Sequence, residues 1–473
     1  MMPPATPGGT TLAADGDRHA SPDSVSLGES TRVWAMIGWL GFGGPAGQIA
    51  LMHRQLVEQR RWISDERFLH ALNYCMLLPG PEAAQLAIYI GWLMHGAIGG
   101  VIAGVLFVLP GVIVIFGLSW LYVALHQVGI VSAIFFGLKA AVLAVVIEAV
   151  VRISRRALKN RTMVVIASAA FGAICFLRMP FPLVVLGAAC VGIVGRRILP
   201  GSFPAPSTAA VLAEGDYLVD RRIADGSLTP TARTLRRTLL TIATCLALWL
   251  LPVVAVAALF GRASVFAQQG IFFSEAAVVT FGGAYAVLAY IAQRAVETFG
   301  WLAPGEMLDG LALAETTPGP LIMVVQFVAF VGAFRHPGGL PPYAAATLGA
   351  LLTTWVTFVP CFLWILAGAP YIEKLRNNRE LHAALSAITA AVVGVVLNLA
   401  LWFAIHSLFR ETVPVHAFPF AFEAPRLASV DWLALALSVA AGIAIFRFKI
   451  GMIPTLAACC AGGLALYLSG ALA

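Results

Sequence analysis

The chain has 473 residues, 60% of them hydrophobic and 11% charged, with a formal net charge of +7 and a pI near 9.2. An ordinary soluble domain carries about 25% charge, so a soluble globule of this composition would have no polar surface. The Lys and Arg residues sit in short loops between apolar runs rather than in a stripe, so the basicity reflects membrane topology and not nucleic-acid binding. The seven cysteines lie in or beside apolar runs without CxxC or Cys/His spacing, which indicates neither a disulfide framework nor a metal site. Residues 1–30, rich in Pro, Gly, Ser, Thr and Asp, read as a disordered cytoplasmic tail without a signal-peptide core.

Apolar runs long enough to cross a bilayer predict about thirteen transmembrane helices, beginning near residues 33, 68, 97, 131, 162, 181, 239, 272, 307, 342, 382, 430 and 451. The fold class is therefore an all-α polytopic membrane protein. With the N-terminus in the cytoplasm, the inside loops collect 20 of the 30 Lys and Arg and the outside loops 9. Arg54, Arg60, Arg61 and Arg67 break that rule by falling outside; they are candidates for an electropositive mouth that attracts anions, and the alternatives are a loop that tolerates them or a first span that does not fully cross.

The first span carries Phe42-Gly43-Gly44-Pro45; paired glycines either open the backbone or admit a neighbouring helix, and Pro45 suits a helix start. The second, about 68–93, is interrupted by Pro79-Gly80-Pro81, which predicts two half-helices. Pro81 then reads as the first residue of the second half, with the free amides of Glu82 to Gln85 facing the break, a setting that suits an anion. Ionisable residues within spans are functional candidates. Lys139, in the span near 131, is a candidate cation for a dianionic substrate, against the alternative of snorkelling or pairing with a carboxylate. Glu148 shares that helix.

Residues 199–237 read as a cytoplasmic linker and 238–260 as a linking span. Beyond them the first half recurs. A shift of 239 positions places Phe42-Gly43-Gly44 on Phe281-Gly282-Gly283, Trp62 on Trp301 and Pro79-Gly80-Pro81 on Pro318-Gly319-Pro320, with 12 identities in the 40 positions from Phe42. Farther on the shift becomes 250, placing Pro110 on Pro360 and Lys139 to Glu148 on Thr389 to Asn398. The halves, 31–198 and 272–473, begin an odd number of spans apart, which predicts two inverted repeats of six helices plus the linking helix, as in many secondary transporters. Pro320 mirrors Pro81, with the amides of Leu321 to Val324 facing the second break; Ala284 stands where Pro45 does in the first half. Glu82 and Glu315, beside the two PGP breaks, are candidates for proton coupling or, for Glu82, for a first-turn acid. No nucleotide-binding loop, HExxH, flavin, haem or iron–sulfur signature is present, which argues against a pump driven by ATP and against a membrane reductase.

These residues, namely Phe42-Gly43-Gly44-Pro45, Trp62, Pro79-Gly80-Pro81 and their echoes Phe281-Gly282-Gly283 and Thr317-Pro318-Gly319-Pro320, make the chain resemble the bacterial chromate ion transporter (CHR) family in its long-chain, two-domain form. The resemblance implies an inner-membrane secondary carrier that exports chromate, a sulfate-like dianion, and confers chromate resistance. It implies no cofactor, no enzymatic activity, and a bilayer and a dianion as partners; a homo-oligomer is left open. Proton- or sodium-coupled sulfate or oxyanion uptake, or an oxyanion channel, are the alternatives.

Overall fold

The computed structural model describes residues 25–125, 128–203, 217–224, 235–281, 283–368, 379–417 and 420–472. Nearly all of the expected tail, much of the expected linker, and Gly282 lie outside them. Six of the described helices are long and apolar enough to cross a membrane and five shorter ones are apolar, so the chain is an all-α polytopic membrane protein.

The first half opens with α1 (Leu27–Leu40), α2 (Gly44–His53) and a single π turn (Arg54–Gln59), followed by α3 (Asp65–Cys75) and α4 (Glu82–Leu125). Ser26 and Ser64 start α1 and α3 by accepting from the amides of Glu29 (3.1 Å) and Arg67 (3.4 Å), the usual role of a serine N-cap. Within α4 the backbone leaves helical geometry at His95 and Gly96 (φ 64°), and the chain doubles back, so that Gly91 and Gly99 face each other with no room for a side chain. α5 (Gly129–Ala157), α6 (Arg161–Cys175) and α7 (Phe181–Ile198) complete the half. A short α8 (Leu218–Ala224) and α9 (Leu235–Phe260) lead to the second half.

There the element order repeats: α10 (Val265–Val279), α11 (Ala284–Gln293), a π turn (Arg294–Thr298), α12 (Pro304–Thr316), a 3₁₀ turn (Leu321–Met323) running into α13 (Val324–Arg335), α14 (Pro342–Gly368), α15 (Arg379–Leu408), α16 (Trp432–Phe446) and α17 (Met452–Leu468). Even the two π turns fall in the 239-residue register. A hairpin of β1 (Thr412–Ala417) and β2 (Phe420–Pro425), paired antiparallel from Thr412↔Pro425 to Ala417↔Phe420, separates α15 from α16 and has no counterpart among the described residues of the first half.

The halves exchange their last two helices. α6 and α7 pack on α15, and α16 and α17 pack on α5. Gly192 of α7 lies against the Ala383 carbonyl, and Gly463 of α17 against the Ala133 carbonyl; these are the same pair of positions with the halves interchanged. Reciprocal contacts of this kind are what a two-fold axis produces.

Contacts also sort the helix ends into two faces. α1 runs parallel to the second limb of α4, with Gly38 beside Leu106 and with Gly41 and Gly111 both against Gly319, so residues 27 and 97 share a face. α7 returns to that face, where Arg197 pairs with Glu380 at the start of α15 (3.0 Å), and α8 lies there too. The Val219 amide donates to the Trp62 carbonyl (3.0 Å), and the Asp220 carboxylate accepts from the Ser64 amide (3.1 Å) and pairs with Arg67 (2.6 Å). The loop between α2 and α3 therefore sits at this linker face. In the second half Arg335 pairs with Glu306 (2.6 Å) and donates to the Trp301 carbonyl (3.3 Å) at the opposite, hairpin face.

This placement corrects one expectation. The Arg54–Arg67 loop lies on the linker's face, because the broken spans α1/α2 and α3/α4 each enter from that face and turn back to it; α10/α11 and α12/α13 do the same from the hairpin face. Among the described residues, Arg178, Arg262, Arg294, Arg335, Arg410 and Arg426 lie toward the hairpin face, and the remaining Lys and Arg, Lys139 apart, lie toward the linker face. The charge asymmetry is stronger than alternating full spans would give.

Candidate functional site

Four helix breaks meet between the faces, and they bond to each other crosswise. The Gly80 amide donates to the Thr280 carbonyl (2.8 Å), and the Gly319 amide donates to the Gly41 carbonyl (3.1 Å). Thr280 is the repeat equivalent of Gly41, and Gly319 of Gly80. Each PGP break is thus tied to the FGG break of the other half. The local turn is also shared: the Phe42 amide donates to Leu40 O and the Phe281 amide to Val279 O, both at 3.0 Å. Gly80 (φ 121°) and Gly319 (φ 105°) hold backbone conformations open in practice only to glycine. Gly111 packs on Gly319 and its equivalent Cys361 packs on Gly80, where an added Cβ would stand 3.3 Å from its sulfur.

The FGG motifs open the backbone rather than merely admitting a neighbour. Gly43 (φ 86°), Gly44 (φ 64°) and Gly283 (φ 101°) are all left-handed, and Pro45 sits in the first turn of α2 as its sequence suggests. Pro81 and Pro320 stand one residue earlier than expected: α4 begins at Glu82, with the Gln85 amide bonded to the Pro81 carbonyl (3.1 Å), and Pro320 precedes the 3₁₀ turn. Pro79 and Pro318 precede their glycines in each break, and the Pro79 carbonyl accepts from Gln85 Nε2 (2.7 Å). The Gly80 and Gly319 amides are committed to the cross-links, so the donors that face the centre are those of the first turns of α2, α4, α11 and the 321–323 turn, four helix starts converging on one place.

Glu82 lies beside Gly283, whose Cβ position is 3.4 Å from Oε1. Glu315, 1% exposed, accepts a hydrogen bond from the Tyr285 hydroxyl. Both carboxylates are therefore at the centre. Lys139 is elsewhere: its Nζ is 3.3 Å from Asp309 Oδ1, and Asp309 Oδ2 accepts from the Tyr122 hydroxyl (2.9 Å). Asp309 is a carboxylate within a span, which the rule that singled out Lys139 would also have found. The arginine loop is largely engaged by the chain: Arg60 bonds to Gln55, the Arg61 guanidinium lies 5.2 Å from the Tyr217 ring centroid, and Arg67 pairs with Asp220, leaving Arg54 exposed.

Two cavities reach inward from the faces, beside a third of about 640 Å³ between the hairpin and the start of α16 that is lined by Arg410, Glu411, Arg426 and Asp431. One of about 700 Å³ at the linker face is lined by Glu148, Arg152, Arg155, Arg156 and Lys449, and reaches Gly43, Tyr285 and Glu315 at the centre. The other, about 380 Å³ at the hairpin face, is lined by Asn398, Trp402, Ile405, His406, Arg178 and Glu297, under Phe422 and Glu423 of the hairpin. In the sequence Arg152, Arg155, Arg156 and Lys449 count only as basic loop residues, and Glu148 only as a charge on the Lys139 helix; tertiary packing gathers them.

The chromate transporter family model matches residues 29–193 and 267–465. Similar proteins include a chromate transport protein of Pseudomonas aeruginosa, 34% identical over 81% of this chain and 82% of its own. A probable chromate transport protein of Synechococcus elongatus is 27% identical over 80% and 84%, and a chromate transport protein of Cupriavidus metallidurans 28% identical over 82% and 85%. No solved structure matches the chain. With both halves matched and both sets of breaks in place, the chain belongs to the chromate transporter family, a family of transporters and not of enzymes.

Proposed function

We propose that this protein is a secondary carrier that exports chromate, a tetrahedral dianion, from the bacterial cytoplasm across the inner membrane and so confers chromate resistance. The observation that carries the reading is the crosswise pairing of the four breaks, Gly80 with Thr280 and Gly319 with Gly41, which gathers helix starts from both halves around one point. The halves, 31–198 and 272–473, act as inverted units joined by the 199–237 linker and α9, and relative motion between them exposes the centre to one face and then to the other. The excess of Lys and Arg at the linker face supports placing that face in the cytoplasm.

The substrate site comprises the breaks at Phe42-Gly43-Gly44-Pro45, Pro79-Gly80-Pro81, Gly282-Gly283 and Pro318-Gly319-Pro320. Lys139 stabilises α5 against α12 through Asp309. Glu82 and Glu315, beside the breaks, are candidates for optional proton exchange or for tuning the electrostatics of the site. Export needs no coupled ion: with the inside negative, each charge moved gains about 2.3 kcal/mol per 100 mV, so a departing dianion gains about 4.6 kcal/mol.

The test is uptake of labelled chromate by inside-out vesicles, with sulfate as competitor and with an imposed lumen-positive potential. The reading predicts uptake that rises with the potential and saturates with chromate. Sulfate uptake alone, or uptake that requires a proton or sodium gradient directed the other way, would overturn it in favour of a coupled sulfate importer.

A further inference from the structure

The two cavities are the same structural feature seen from opposite faces. In the 250-residue register Glu148, Arg152, Arg155 and Arg156 correspond to Asn398, Trp402, Ile405 and His406, and each set lines its own cavity. Beyond the hairpin the spacing widens to 271, as between Gly192 and Gly463, and in that register Lys449, after α16, corresponds to Arg178, after α6; both hold a left-handed backbone (φ 52° and 48°). The halves have therefore kept the cavity and diverged in its charge. At the linker face four cationic side chains stand with two carboxylates, Glu148 and Glu315; at the hairpin face Arg178 and His406 stand with Glu297 and Glu423.

Among the described residues, Arg155, Arg156 and Lys449 have no ion-pair partner, whereas Arg152 is held by Glu148 (3.3 Å). His406 is 3.3 Å from Glu423 of the hairpin, and Phe422 meets Phe176 edge-on, so hairpin side chains wall the second cavity on its outer side. α17 starts in the linker-face cavity with Gly451 as an N-cap that offers no side-chain acceptor, so its positive end adds to the three free cations.

We propose that Arg155, Arg156 and Lys449, with the start of α17, form an anion-capture site for divalent oxyanions at the linker face, and that its twin, which lacks this excess of cations, makes the carrier asymmetric. A basic, partly enclosed cavity concentrates anions and accelerates their capture, whereas the twin, with two carboxylates and an aromatic wall, releases them. The inference rests on the carrier reading above and assigns the face from which substrate is taken up tightly.

The test measures chromate KM separately at each face, in inside-out and right-side-out vesicles. Wild type has the lower KM at the linker face. The double variant Arg155→Gln/Arg156→Gln, and independently Lys449→Gln, raise that KM about tenfold at low ionic strength, with kcat in that direction per folded carrier held within about twofold and the difference shrinking as salt rises. KM at the hairpin face stays the same while kcat for the return direction falls in proportion, since no variant alters the overall equilibrium, and Arg262→Gln, which removes a charge from the hairpin face, changes neither KM. An unchanged linker-face KM in both variants, or an equal rise at both faces, overturns the proposal. A wild type that moves no chromate at all refutes the carrier reading instead.

Discussion

Replacing Gly319 by alanine perturbs the place where the two halves are pressed closest together. A Cβ at Gly319 would stand 2.7 Å from the Gly111 Cα and 3.1 Å from its amide nitrogen, both backbone atoms that cannot rotate aside. At the repeat equivalent, Gly80, the same Cβ would stand 2.9 Å from Gln85 Nε2 and 3.3 Å from Cys361 Sγ, and the glutamine amide can swing away. Both positions have positive φ, so both substitutions carry strain of about 1–3 kcal/mol. Only Gly319→Ala adds overpacking against backbone, about 1–3 kcal/mol more. Gly319→Ala is therefore expected to cost about 2–6 kcal/mol and Gly80→Ala about 1–3 kcal/mol, although the two residues are equivalent in sequence. Thermal unfolding of the purified carrier in detergent, read beside its abundance in the membrane, measures the difference. If Gly319→Ala is as stable as wild type, or no less stable than Gly80→Ala, the close approach of α4 to the second PGP break is wrong.

Pro81→Ala and Pro320→Ala should be mild, within about 1 kcal/mol, because alanine keeps the carbonyl that each break uses and loses only a preset φ; near-normal chromate flux per folded carrier is the expected reading. Lys139→Gln leaves Asp309 buried without its cation and should lower membrane abundance, by about 3 kcal/mol of stability, with Lys139→Gln/Asp309→Asn recovering most of it; a single variant of normal abundance that has lost chromate binding would return Lys139 to the substrate site. Asp220→Asn removes a charged hydrogen bond to Arg67, worth about 1.5–3 kcal/mol, and should speed tryptic cleavage at Arg221 or Arg222 in inside-out vesicles by about tenfold or more; an unchanged cleavage rate would mean that α8 is not held by that pair.

The breaks were legible in the sequence because proline and glycine act on the backbone directly, and the repeat because twelve identities align without a gap. The path of the chain through the breaks was not. Hydropathy gives the same profile whether Pro79-Gly80-Pro81 lets the chain continue or turns it back, so α3 and the start of α4 read as one crossing. The trace left in the sequence was the misplaced charge of Arg54, Arg60, Arg61 and Arg67, which fits a first span that does not fully cross as well as an electropositive mouth; only the first of these readings points to the return, and charge alone does not choose between them. Lys139 was found and its partner missed because Asp309 sits among Leu308, Leu311 and Leu313, where one acid is easily taken for a helix-end residue. The two vestibules depend on the exchange of α6 and α7 for α16 and α17, a long-range packing that no local pattern encodes.

The central claim is that equivalent parts of the two halves face opposite sides of the membrane. Gln59 and Thr298 close the two π turns, are both exposed, and occupy equivalent positions. In a cysteine-free carrier that still transports chromate, Gln59→Cys and Thr298→Cys should react with a membrane-impermeant maleimide from opposite sides: Thr298→Cys in intact cells, and Gln59→Cys only in inside-out vesicles. Labelling of both from one side would contradict the inverted arrangement and the shared site built on it.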